Sequence, residues 1–72
     1  MRYKITERNG ATGKTIVSSN DQNLTHDQAK ANMAKHEKMW RKFGGEIIEI
    51  SLNKMVGRDS DGTLTTWTIE QY

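Results

Sequence analysis

The stretch NGATGKT at residues 9–15 ends in Gly-Lys-Thr, the residues that close a phosphate-binding P-loop. In such a loop the backbone N–H groups cradle phosphates and the lysine contacts the terminal ones. The motif also needs a glycine five residues before Gly13, where this chain has Arg8, and a helix directly after the threonine. Strand-forming residues follow instead, so the sequence predicts a hairpin loop and not a nucleotide site.

A second stretch, DSDG at residues 59–62, has the acidic spacing that begins a calcium loop. Glu70 also falls eleven residues after Asp59, where the last ligand of an EF-hand lies. The glycine required at the sixth position is replaced by Leu64, and no helix pattern flanks the segment. The favoured interpretation is a hairpin turn built on Asp-Gly.

The histidines suggest no metal site either. His26 and His36 are ten residues apart on one predicted helix, which separates them by roughly 15 Å along its axis. The chain has no cysteine to complete a ligand set or to act as a nucleophile. The sequence therefore predicts no catalytic residue, no metal and no cofactor, and it favours a protein that is not an enzyme.

Length and composition limit the number of domains, the partners and the compartment of the protein. The chain has 72 residues and a formal charge of +2, so we expect a single domain over residues 1–72. No apolar run approaches the roughly 18 residues of a membrane span, and we expect no membrane partner. The chain has no cysteine and so no disulfide, which favours a reducing cytoplasm.

One helix is predicted over residues 26–43. Thr25 and Gln28 have the spacing of a capping box, and Gly44 with Gly45 ends the pattern. The helix carries five basic residues against Asp27 and Glu37, a local charge of +3. Because the apolar residues of the helix lie on its other side, the basic ones are expected to face solvent or an acidic partner.

Strands are predicted on both sides of the helix, at residues 2–8, 14–19, 46–55 and 63–72, with a turn-rich connection at 56–62. The fold class is then α+β, with a four-stranded antiparallel sheet in the order β-β-α-β-β and one helix packed on one face. The expected core takes the apolar residues on the inner face of each element: Tyr3, Ile5, Ile16, Ala29, Met33, Trp40, Phe43, Ile48, Ile50, Leu52, Trp67 and Ile69.

The helix opening LTHDQAK and the closing strand TWTIE, set between two hairpins, resemble small accessory proteins of bacteriophages and prophages. The layout is similar in particular to the smaller anti-CRISPR proteins that bind type I surveillance complexes. The resemblance implies a protein that acts stoichiometrically and blocks the handling of DNA or RNA by a defence complex. Many such inhibitors are acidic mimics of DNA, whereas this chain is mildly basic, which favours docking on an acidic protein surface.

The leading hypothesis is therefore a non-enzymatic, phage-type inhibitor that binds a bacterial defence complex of the CRISPR-Cas type. An alternative is a small basic regulator that binds nucleic acid through the same surface. A third is an interaction module that dimerises through a free sheet edge, so both a monomer and a homodimer remain open. The residues expected to contact the partner are Lys30, Lys35, Lys38, Arg41 and Arg58.

Overall fold

The chain forms one α-helix and five β-strands, and the computed structural model describes all residues from 1 to 72. The helix α1 spans His26–Lys42, and a 3-10 turn at Ser19–Asp21 precedes it. The prediction of an α+β domain with one helix is confirmed. The strands are β1 (Tyr3–Asn9), β2 (Thr15–Ile16), β3 (Glu46–Ile50), β4 (Lys54–Arg58) and β5 (Leu64–Gln71).

The strands make one antiparallel sheet in the order β2-β1-β5-β4-β3. The first and last long strands pair in its middle, where Ile5 lies directly opposite Ile69. The helix connects β2 at one edge of the sheet with β3 at the other edge. It therefore crosses a single face of the sheet and leaves the opposite face uncovered.

The helix begins where the sequence predicts. Thr25 Oγ1 accepts a hydrogen bond from the Gln28 N–H at 3.1 Å, and Gln28 Oε1 accepts one from the Thr25 N–H at 2.9 Å. This capping box satisfies two backbone donors that the first turn would otherwise leave unpaired. No helix of the protein has both the length and the apolar character needed to cross a membrane.

The core lies between α1 and the central strands. Trp67 on β5 stands opposite Met55 on β4 in the sheet register, and both are almost completely buried. The buried cluster consists of residues from the inner faces of α1, β1, β4 and β5: Ile5, Ala29, Met33, Met55, Trp67 and Ile69. Tyr3 and Trp40, both expected in the core, are half-buried and pack against its margin.

Trp40 fixes the C-terminal half of the helix on the sheet. Its indole packs edge-to-face on Trp67, with ring centroids 5.0 Å apart, and its Nε1–H donates to the Glu46 carbonyl at 3.2 Å. Two glycines lie under the ring, because a Cβ on either Gly45 or Gly57 would overlap the indole. The indole can pack this closely on the backbone of Gly45 and Gly57 because neither residue has a Cβ.

The sheet has five strands where four were expected. The segment at 46–55, predicted as one strand, is divided into β3 and the start of β4 by a tight turn at residues 51–53. The Ser51 N–H donates to the Lys54 carbonyl at 2.8 Å and closes this turn. The turn contains Ser51 and Asn53, which are common in turns, but neither glycine nor proline, so its signal is weaker than the apolar alternation around it. The connection expected at 56–62 consequently begins inside β4.

Five of the residues expected in the core are exposed instead. Ile50 and Leu52 are 60% and 68% exposed, because β3 is an edge strand and Leu52 lies in the turn that follows it. A bulge between Ile47 and Glu49 also interrupts the alternation of faces along β3. Met55 and Val56 are the residues buried from this hairpin. The expected core residues that are exposed are Ile16, Phe43, Ile48, Ile50 and Leu52.

The first hairpin is also shorter than predicted. The strand expected at 14–19 pairs over only two residues, Thr15 and Ile16, before the chain turns toward the 3-10 segment. The loop before it closes through a hydrogen bond from the Gly13 N–H to the Asn9 carbonyl at 2.8 Å. Gly13 has a φ of 74°, a conformation that favours glycine. The prediction that NGATGKT forms a hairpin loop is confirmed.

We expect Gly57→Ala to lower the free energy of unfolding by about 1–3 kcal/mol, the usual cost of overpacking a well-filled site. The added Cβ would lie 2.5 Å from Trp40 Nε1, so either the indole or β4 must move. Thermal or urea unfolding followed by circular dichroism measures this change. In a Trp40→Leu background the same substitution should cost much less, and an unchanged cost there would contradict the packing argument.

Candidate binding surfaces

A row of lysines occupies the side of α1 that points away from the sheet. Lys35, Lys38 and Lys42 follow one another at spacings of three and four residues, so they lie on one stripe of the helix. Lys30 lies nearer the β3 side of the helix, where it borders a shallow groove with Ile50 and Leu52. All four lysines are exposed, and none makes an ion pair with an acidic residue. The stripe of Lys35, Lys38 and Lys42 is called the lysine face below, and Lys30 lies at its margin.

The two arginines expected at the same surface lie in different surroundings. Arg41 is on α1 but pairs with Glu37 one turn earlier, with Nε and Oε2 3.2 Å apart. Arg58 is on β4, where it alternates with Gly57 and so projects from the sheet face opposite α1. There it pairs with Glu46 on β3. The structure thus brings Lys30, Lys35 and Lys38 together on one helix and does not bring Arg58 to them.

The DSDG loop uses its carboxylates to hold its own backbone. Asp59 Oδ1 accepts hydrogen bonds from the N–H groups of Asp61 and Thr63, at 3.0 and 3.1 Å. The hydrogen bond with the Asp59 side chain, followed by those from the Thr63 hydroxyl and N–H, lowers the pKa of Asp61. Gly62 has a φ of 90° and completes the turn between β4 and β5. The prediction of a hairpin turn at this position is confirmed.

A polar cluster around the buried Asp21 joins the 3-10 turn to the helix. Asp21 is 6% exposed, and its Oδ2 accepts a hydrogen bond from His36 Nε2 at 2.8 Å. Its Oδ1 accepts a second one from Asn32 Nδ2 at 3.2 Å. A carboxylate only accepts hydrogen bonds, so the proton between Asp21 and His36 lies on Nε2. The His36 ring also stacks on Trp67, with centroids 6.1 Å apart.

Sequence reasoning missed this cluster, although part of its pattern is visible. Asn32 and His36 are four residues apart and lie together at the margin of the apolar stripe of α1. Asp21, their common partner, is in the polar turn NDQN, which has no periodicity to mark it as buried. His26, in the first turn of α1, is half-buried, and its Nε2–H donates to Asn53 Oδ1 at 3.0 Å.

In comparisons with known proteins, no protein-family model, curated protein or solved structure matches this chain.

We expect Asp21→Ala to destabilise the fold by about 1–3 kcal/mol, because the half-buried His36 ring would lose its acceptor and Asn32 would keep only the Asn20 carbonyl. Chemical unfolding monitored by tryptophan fluorescence gives the free energy of unfolding directly. Asp21→Asn keeps the shape and one acceptor, so it should cost less than the alanine variant. A loss below about 0.5 kcal/mol for Asp21→Ala would show that the cluster contributes little to stability.

Proposed function

We propose that this protein acts by binding, without catalysis, and that the lysine face of α1 is its main contact with an acidic partner. The observation that supports this function is the set of exposed lysines on α1 that make no ion pair within the chain. Charges paired inside a protein contribute little to its outer field, whereas unpaired charges on one face attract an oppositely charged surface. Lys35, Lys38 and Lys42 form such a face, with Lys30 at its margin on the β3 side.

The geometry of the helix sets the spacing between the lysines of this face. Lys35, Lys38 and Lys42 lie about 4.5 and 6 Å apart along the helix axis, from a rise of about 1.5 Å per residue. Three ammonium groups at this spacing suit a surface on which carboxylates or phosphates recur at similar intervals. The pair of Arg41 and Glu37 flanks the stripe and adds no net charge to it.

The class of partner that we propose is a bacterial defence complex of the CRISPR-Cas type, which the protein inhibits stoichiometrically. The support is the resemblance of the layout to small anti-CRISPR proteins, with one helix crossing an antiparallel sheet. The net charge of +2 disfavours mimicry of DNA and favours contact with an acidic protein subunit of such a complex. Binding there would block the step at which the complex handles nucleic acid.

A second candidate is direct binding of nucleic acid, since phosphates would satisfy the same lysines. The aromatic residues do not add a stacking platform to the lysine face: Trp40 and Trp67 lie on the sheet side of α1. Binding of this kind would be non-specific and electrostatic, and its affinity would fall steeply as salt is raised. Protein docking would show a weaker dependence on salt, because its contacts are only partly ionic.

We expect increasing amounts of this protein to abolish target-DNA binding by a purified type I surveillance complex, with an end point at a fixed molar ratio. Lys35→Glu/Lys38→Glu should weaken the inhibition at least tenfold, because like charges across an interface cost several kcal/mol. Fluorescence anisotropy of labelled target DNA measures the effect. The matched control is Arg2→Glu/Lys14→Glu, which makes the same change in net charge at exposed positions outside α1.

Three results separate the candidates. Equal inhibition by the two double variants would contradict the proposed surface. The nucleic-acid regulator would be favoured if the wild-type protein does not inhibit the complex but binds free DNA. The logarithm of its binding constant for DNA should then fall linearly with the logarithm of the salt concentration. Turnover, seen as inhibition at amounts far below one protein per complex, would contradict a stoichiometric mechanism.

A further inference from the structure

A groove lies on the sheet side of α1, beside the C-terminal half of the helix. It has a volume of about 250 Å³ and opens between the helix and strands β1 and β5. Its lining includes both tryptophans of the chain and one carboxylate: Glu7, His36, Met39, Trp40, Phe43 and Trp67. It is separate from the lysine face, which points away from the sheet.

The walls of this groove are apolar and open to solvent. Phe43 is 77% exposed and Met39 is 54% exposed, although both are large apolar side chains. Phe43 was expected in the core, but it caps the C-terminal end of α1 and contributes a wall there instead. A cluster of exposed apolar side chains around a concave site is typical of surfaces that bind a ligand or a partner.

The floor of the groove carries an unpaired negative charge. Glu7 is on β1 opposite Trp67 on β5, and its Oε1 accepts a hydrogen bond from the Trp67 Nε1–H at 2.7 Å. Its Oε2 has no hydrogen-bond partner, and no basic side chain lies within ion-pair distance of Glu7. Lys14 borders the neighbouring depression on the far side of Glu7 without pairing with it.

We propose that this groove binds a cationic side chain, an arginine or a lysine presented by a partner protein. The exposed ring of Phe43 attracts a cation through its face, and the free oxygen of Glu7 attracts it through charge-assisted hydrogen bonds. Both features of the groove therefore select the same class of ligand. A purely apolar occupant would bury the Glu7 charge without a partner, which is costly, and an acidic occupant would be repelled.

Glu7 is the one carboxylate in the lining of the groove. An adjacent cleft that shares His36 and Met39 with the groove holds the exposed Lys35 and Asp21, whose oxygens accept hydrogen bonds from His36 and Asn32. The charge preference of the groove therefore depends on Glu7. The proposed ligand has the opposite charge to the ligand of the lysine face, so the two surfaces contact different parts of a partner.

The two tryptophans provide a direct measurement of binding. The chain contains only Trp40 and Trp67, and both line the groove, so ligand binding should change the intrinsic fluorescence. The probe is N-acetyl-arginine amide, and its neutral counterpart is N-acetyl-citrulline amide, which has nearly the same shape. We expect a saturable change with the arginine probe and an affinity roughly tenfold lower for the citrulline probe.

Glu7→Gln is the decisive variant, because glutamine still accepts the hydrogen bond from Trp67 while it removes the charge. It should bind the two probes with equal, weak affinity. Glu70→Gln removes the same charge from an exposed residue at the end of β5 and should bind as the wild-type protein does. Phe43→Ala, at a residue that is mostly solvent-exposed, should weaken binding of the arginine probe without unfolding the protein.

Specific outcomes would overturn the proposal. One is equal affinity of the wild-type protein for the arginine and citrulline probes. Another is an unchanged preference for arginine in Glu7→Gln. If Glu7→Gln fails to fold, the proposal would be overturned by unchanged binding of the arginine probe to Phe43→Ala. The absence of any fluorescence response up to the solubility limit of the arginine probe would also exclude a cation site in this groove.

Discussion

The contact between Trp40 and the backbone of two glycines is the constraint on which the rest of this small structure depends. Only a few residues are fully buried, so the helix has few apolar anchors on the sheet. Ala29 and Met33 fix its N-terminal half, and Trp40 fixes its C-terminal half over Gly45 and Gly57. A larger residue at either glycine would lift the helix, because the indole already touches Trp67 on its other side.

The same contact determines which way the charged groups point. With Trp40 held against the sheet, the lysines on the far side of α1 must face solvent, since successive residues on a helix are separated by about 100°. The Trp67 ring, held in place by Trp40 and His36, presents its indole N–H to Glu7. The lysine face and the groove beside Glu7 thus both result from one packing arrangement, and they favour ligands of opposite charge.

The fold could be predicted where local signals are strong. The capping box at Thr25 and Gln28, the glycines after α1 and the Asp-Gly turn each act within a few residues, and each lies where the sequence predicts. The β3–β4 hairpin was missed because its turn at 51–53 has only Ser51 and Asn53 as turn-forming residues, without glycine or proline, inside an alternating apolar pattern. Its alternating isoleucines resemble a buried strand, yet they lie at the edge of the sheet, where the helix does not cover them.

For the surfaces, the sequence by itself determined the helix, its apolar stripe and the lysines that lie opposite that stripe, because all of these follow from the 3.6-residue period. Only the tertiary structure decided which charges are free. Arg58 and Arg41 look equivalent to the lysines in the sequence, yet each is paired with a glutamate. In the sequence Glu7 is an ordinary strand carboxylate, sixty residues from Trp67. The pairing of β1 with β5 brings the two side chains into hydrogen-bond contact. Strand order depends on contacts between distant parts of the chain, and these contacts cannot be predicted from local sequence patterns.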